Sequence, residues 1–149
     1  MTKEIVSGRE TSPSVYHANE WGQQLETNLL DLLIEKAKKS DSRKARFCIH
    51  PDSKETLQVT YLAFIRPYLD RIHRHPGRVE IVIPLQGLAM HSTFDSKKNL
   101  LGNQLLDGSN PLALTSRTDA WHSIEVLSEL FVMIEIGLGP FTSNSTVYI

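Results

Sequence analysis

The sequence predicts one small all-β domain, an antiparallel β-barrel preceded by a single α-helix. Three observations carry this expectation. A leucine stripe at helical spacing is confined to residues 19–40. From residue 43 to residue 138, short runs rich in β-branched and aromatic residues alternate with turn-forming residues. The chain has 149 residues, 40% hydrophobic and 22% charged, enough for one sizeable core and too few for two ordinary domains.

Residues 1–18 are polar, contain Pro13 and show no period, so they read as an N-terminal arm ahead of a single domain at 19–149. In the helix at 19–40, Leu25, Leu29, Leu32, Leu33 and Ala37 share one face. Glu20 and Glu26 come early and Lys36, Lys38 and Lys39 late, an order that complements the helix macrodipole. Glu35 stands at i,i+4 to Lys39, which favours an ion pair. The strands that follow are expected at Leu57–Ile65, Val79–Ile83, Leu88–Phe94, Asn99–Leu106, Pro111–Thr115, His122–Leu127 and Phe131–Ile136. Pro76-Gly77, Gln86-Gly87, Asp95 to Lys98, Asp107 to Asn110 and Ser128-Glu129 supply the turns between them.

A net charge of -1 removes the electrostatic case for nucleic acid or an anionic membrane as partner. No apolar run approaches the roughly 20 residues that cross a bilayer. The first residues lack the apolar stretch of a secretory signal, so a cytoplasmic protein is expected. The single cysteine, Cys48, excludes an intrachain disulfide and fits a reducing compartment. Between Phe47 and Ile49 it reads as a small buried residue, because burial raises a thiol pKa and silences it as a nucleophile.

The chemistry is concentrated in His73-Arg74-His75-Pro76-Gly77-Arg78-Val79-Glu80. Strand alternation puts His73 and His75 on one face. A turn at Pro76-Gly77 then brings Glu80 level with them on an adjacent strand. His122 has Ile124 and Val126 as same-face neighbours in its own strand, so it is an inward-facing imidazole that needs a partner. Imidazoles and a carboxylate together are a ligand set for one divalent transition metal, and Zn, Fe, Ni, Co and Mn all suit it. Glu135 shares strand parity with Phe131 and Met133 and, with His50 and Tyr68, makes up the set of loose candidates for a catalytic acid or base. Arg43 and Arg46 flank the first strand and read as solvated or paired. His17 and His91 fit no pattern and are expected at the surface. Tyr61, Phe64, Trp121 and Phe131 are expected in the core or a pocket wall.

The order His-x-His, four residues, Glu, six residues, Gly87 resembles the first conserved motif of the cupin superfamily. Cupins are small jelly-roll β-barrels in which that motif gives two His and one Glu to a metal, and a later strand gives a third His, here His122. Ser42 to Asp52, Pro67-Tyr68, His73 to Pro76 with Glu80, Trp121-His122-Ser123, and Glu135 with Gly139-Pro140-Phe141 further resemble the WbuC-type cupin-fold metalloproteins, over about Leu25 to Phe141. Pro67 replaces the glycine that usually opens the first motif, Ile72 replaces the usual proline before the first His, and around His122 only the histidine itself matches. The resemblance implies a jelly-roll cupin barrel at 43–138, one metal held by His73, His75, Glu80 and His122, a homodimer, a small-molecule ligand and an association with surface polysaccharide. It leaves three activities open: an isomerase-like enzyme on a sugar-like or polar organic substrate, an iron-dependent dioxygenase, and a non-catalytic binding module.

Overall fold

The strands after the helix have two unlike faces, and this decides the layering. In β3 (Lys44–Cys48), Ala45 and Phe47 are fully buried toward the helix, while Lys44, Arg46 and Cys48 face a cavity on the other side. The computed structural model describes residues 4–116 and 119–149. Among these residues the helix α1 (Leu29–Lys39) is joined by further strands: β1 (Gly8–Ser12), β2 (Val15–Ala18), β4 (Leu57–Ile65), β5 (His73–Arg74), β6 (Glu80–Gln86), β7 (Leu88–Phe94), β8 (Leu100–Asp107), β9 (Leu114–Ser116), β10 (Trp121–Val126), β11 (Leu130–Leu138) and β12 (Val147–Tyr148). One sheet has the order β1-β2-β3-β4-β11-β6-β9 and the other β12-β5-β10-β7-β8. The strand ladders are antiparallel except β2 on β3, which is parallel.

The core has two storeys. Leu29, Leu32, Leu33, Ile34 and Ala37 of α1 pack on Ala45, Phe47, Ala63 and Val132 at the outer face of the first sheet. Between the sheets lie Leu62, Phe64, Val82, Ala89, Leu106, Ile124, Val126, Phe131 and Met133. Phe64 and Phe131 stack there with centroids 6.1 Å apart. Mostly-β architecture with one short helix is therefore as the sequence predicts, but the strands pair as two sheets and not as one closed barrel ladder.

Several local expectations are corrected. The polar arm is structured from Gly8 onward: β1 and β2 form an antiparallel pair, and β2 adds to the main sheet with Tyr16 and Ala18 buried. Its polarity belongs to the solvent side of an edge strand. The helix begins at Leu29, ten residues after the expected start at 19. Gly22 adopts φ +75°, and side chains that would lie on the helix surface hold backbone instead. Gln23 Oε1 accepts from Asn19 and Glu20 N–H at 2.6 and 3.2 Å, and Glu26 accepts from Val6 N–H at 2.6 Å. Such bonds compete with the helix ladder. Glu35 pairs with Lys38 at 2.8 Å, not with Lys39, a solvent-exposed contact. The expected strand at Pro111–Thr115 is reduced to β9, because Asn110 and Leu112 N–H close tight turns onto Asp107 and Asn110.

The most consequential difference concerns Pro76-Gly77. Gly77 has φ +70°, and Arg78 N–H donates to His75 O at 3.1 Å, so the chain does turn there. It does not form a hairpin. β5 lies in the second sheet, between β12 and β10, and β6 lies in the first, between β11 and β9. The turn is a crossover that carries the chain from one wall of the sandwich to the other.

Candidate metal centre

The crossover brings Glu80 to the histidines from the facing sheet. His73 on β5 and His122 on β10 are direct register partners. His75 follows β5 immediately before the turn. Ring centroids are 4.4 Å apart for His73–His122, 5.0 Å for His73–His75 and 5.4 Å for His75–His122. One ring nitrogen from each of the three lies within 4.8 Å of the others.

Their hydrogen bonds fix the tautomers. Nδ1 of His73 faces Arg71 O at 2.7 Å, that of His75 faces Ser145 O at 3.1 Å, and that of His122 faces Ala120 O at 2.9 Å. A carbonyl only accepts, so each Nδ1 carries the proton and donates it, and the lone pair is left at Nε2. Backbone carbonyls behind Nδ1 are also the usual support of a metal-ligating imidazole. Burial holds the pKa of His122 down to about 3 and lowers that of His75. His75 and His122 are thus neutral in neutral solution, the form a cation requires.

Glu80 is 3% exposed, with Oε1 3.5 Å from His75 Nε2 and 3.1 Å from Arg78 Nε. The arginine is close enough for an ion pair but out of line for a hydrogen bond, so Oε1 has no donor. Burial, and secondarily Glu135, push its pKa up to about 8 against the pull of Arg78. An orphaned buried carboxyl oxygen beside the His75 lone pair, next to two further imidazoles, fits a divalent cation. Glu80 joins the group through His75, whereas the three histidines are mutually close.

The group opens into a cavity of about 240 Å³ between the sheets. Lys44, Arg46 and Arg78 bring positive charge to its wall, and Glu135 and Asp70 negative charge. Lys44 Nζ donates to Tyr68 Oη at 2.8 Å, and Tyr68 donates in turn to Asp70. Burial, then Arg46, bring Lys44 down to about 8, and burial followed by Asp70 pushes Tyr68 well above the ordinary phenol value. Of the three acid–base candidates, Glu135 reaches the cavity, Tyr68 is committed to Lys44 and Asp70, and His50 sits on the wall of the first sheet beside His17 and Cys48.

Two histidines expected at the surface are elsewhere. His91 is 5% exposed and stacks on His122 with centroids 5.5 Å apart, and its pKa is lowered by burial and then by His73. It pairs in register with Ile124, and its neighbour Ala89 pairs with Val126. The inward direction of Ile124 and Val126 was legible, so the missing signal was the β7–β10 register. His17 is half-buried in β2, on a segment with no period to betray a strand.

This two-sheet sandwich with a histidine-lined interior is a cupin fold. Residues 25–106, or 82 of 149, match the model of a domain of unknown function, DUF6016, and the chain belongs to that family. Among solved structures it is similar to the capsular polysaccharide assembling protein CapF from Staphylococcus aureus, with 16% identity, TM-score 0.64, and coverage of 74% of this chain and 33% of that one. It is also similar to oxalate decarboxylase from Lactobacillus farciminis, with 16% identity, TM-score 0.58, and coverage of 74% and 32%. A third likeness is to oxalate oxidase in complex with the substrate analogue glycolate, with 12% identity, TM-score 0.58, and coverage of 74% and 57%. The chain thus spans about a third of the first two and just over half of the third. No curated protein sequence matches it. No helix among the described residues is long and apolar enough to cross a membrane.

Proposed function

We propose that the chain is a metal-binding cupin that holds one divalent transition ion with His73, His75, His122 and Glu80 and presents it to a small oxygen-rich organic ligand. The observation that carries this reading is the set of three imidazoles whose Nδ1 protons are all committed to backbone carbonyls, leaving three lone pairs close together and an orphaned carboxyl oxygen beside that of His75. An ion in such a site supplies Lewis-acid polarisation of a ligand oxygen and lowers the pKa of bound water. The chain's own contribution is positioning and charge. Arg46, Arg78 and Lys44 offer donors to a carboxylate or hydroxyl, while Phe64, Met133 and Val82 exclude water from one wall.

In the enzymatic form of the proposal, Glu135 moves the proton, since it is the one acid–base candidate in the cavity not already committed by hydrogen bonds to other groups. The substrate class is sugar-like or polar organic, the reaction an isomerisation or, with iron, a dioxygenation. A surface-polysaccharide role of the WbuC type draws on the residue pattern and on the fold shared with a capsular polysaccharide assembling protein. The non-catalytic binding module is favoured by one observation, the commitment of Tyr68 to Lys44 and Asp70, which leaves the cavity short of a second proton-transfer group. A cytoplasmic homodimer is part of the same proposal. The dimer is supported by the row of exposed leucines Leu100, Leu101 and Leu105 on β8, an edge strand of the second sheet.

Calorimetric titration with glycolate, the smallest ligand offering both hydroxyl and carboxylate, tests the proposal. Zinc-loaded protein binds it and chelator-stripped protein does not. Equal affinity of the two forms, or none for the loaded form, would overturn the ligand-presenting role.

A further inference from the structure

The cavity has a second wall that the metal centre does not use. Lys44, Arg46 and Cys48 project from the first sheet into the interior, opposite in sense to Ala45 and Phe47, and His50 just beyond β3 lines the same cavity. The parallel pairing of β2 on β3 sets His17 in register with Cys48, and His50 follows two residues later. One ligand atom from each of His17, Cys48 and His50 lies within 4.8 Å of the other two. The two imidazole rings meet edge-on at 5.3 Å.

The hydrogen bonds repeat the pattern of the first centre at His17, while His50 can take either tautomer. His17 Nδ1 lies 3.1 Å from His50 O, so it is protonated and its lone pair is at Nε2. His50 Nδ1 either accepts from Val59 N–H at 3.0 Å or donates to Val59 O at 3.1 Å. Donation to the carbonyl frees Nε2 of His50 as well, and an ion selects that tautomer. Cys48 is 6% exposed, and the Thr60 hydroxyl, 3.7 Å from Sγ, donates to the sulfur. Burial keeps Cys48 a thiol when no cation is near. Two imidazoles and a thiol held together at the end of β2 and β3 are a soft ligand set.

We propose a second metal site, formed by His17, Cys48 and His50, that takes one thiophilic transition ion such as zinc. As the S–metal bond forms, the Cys48 S–H bond breaks and its proton leaves to solvent. Three protein ligands leave at least one position facing the cavity. The site shares that cavity with the centre at His73, His75, His122 and Glu80 but shares none of its ligands, so either can be wrong without the other.

Cobalt(II) titration of the chelator-stripped full chain tests the proposal, because a thiolate bound to cobalt gives a charge-transfer band in the near ultraviolet. Cys48 is the only cysteine in the chain, so such a band reports this site alone. Two cobalt ions bind per chain and the band appears. In Cys48→Ser the band is lost and one equivalent with it. In His17→Ala and in His50→Ala the affinity read from the band falls at least tenfold. In His122→Ala one equivalent is lost and the band stays, which separates the two centres. Circular dichroism of each variant checks folding, and if Cys48→Ser does not fold, the unmodified chain and His17→Ala still decide. Absence of the band at saturating cobalt, or a band whose affinity is unchanged in both His17→Ala and His50→Ala, would overturn the proposal.

Discussion

Replacing His122 by glutamine should change how the metal-free protein responds to acid. In the folded chain burial holds His122 near 3, while the unfolded chain takes up the proton at about 6.5. The folded pKa is depressed, so the stability that accompanies the neutral imidazole is fully present above about 6.5 and lost as pH falls toward 3. One pKa unit corresponds to about 1.4 kcal/mol, so at pH 5 the loss from this histidine is about 2 kcal/mol, with a ceiling near 5 kcal/mol below pH 3. Glu80 acts in the opposite sense. Its pKa is raised to about 8, so its contribution is fully present below the unfolded value, about 4.5, and lost as pH rises through 8. The total pH profile therefore mixes both, and the informative quantity is the difference between the unmodified chain and His122→Gln. Urea unfolding followed by fluorescence of Trp21 and Trp121, in chelator at pH 7.5 and pH 5, measures it. The stability difference should shift by about 2 kcal/mol against the unmodified chain on going to pH 5. A shift below about 0.5 kcal/mol would show that His122 titrates as a solvated imidazole and would refute its burial as a neutral ligand.

Two glycines offer a paired test of the crossover and the β6–β7 turn. Gly87 has φ +77° and a Cβ there would sit 2.0 Å from Leu130 O, whereas at Gly77, φ +70°, it would meet nothing within 4 Å. Gly87→Ala should therefore cost about 2–4 kcal/mol and Gly77→Ala only about 1–2 kcal/mol by urea unfolding, and equal costs would contradict the close approach. Leu101→Glu combined with Leu105→Glu should turn a homodimer into a monomer by light scattering at micromolar concentration with the fold unchanged, and a monomeric unmodified chain would end the dimer proposal. Phe131→Ala removes a fully buried ring between the sheets and should cost about 3–5 kcal/mol. A loss below 1 kcal/mol would mean the ring is not in the core.

What could be read from the sequence divides along physical lines. Leu57–Ile65 and Leu88–Phe94 were placed to the residue, because a strand half-buried on one face writes its period into the sequence. β2 was not, since a four-residue strand with Val15 and His17 alternating with Tyr16 and Ala18 is too short for its period to stand out. The helix start was lost because Gln23 and Glu26 look like helix-surface residues and act as backbone acceptors instead. At the site, residue types and spacing pointed to His73, His75, Glu80 and His122, and the structure brings the three imidazoles together with Glu80 beside His75. How Glu80 arrives was out of reach: a Pro-Gly turn is compatible with a hairpin or with a crossover, and only sheet pairing decides between them. His91 and His17 were missed for the same reason, because long-range register is not written in local pattern.

The most direct test is zinc content, measured by elemental analysis on chelator-stripped chains after reloading and desalting, for the unmodified chain and for His122→Ala. The site at His73, His75, His122 and Glu80 requires that His122→Ala carry one zinc per chain fewer than the unmodified protein, with an unchanged far-ultraviolet circular dichroism spectrum, since the two-storey core does not depend on the ion. Equal zinc content in the two would contradict it.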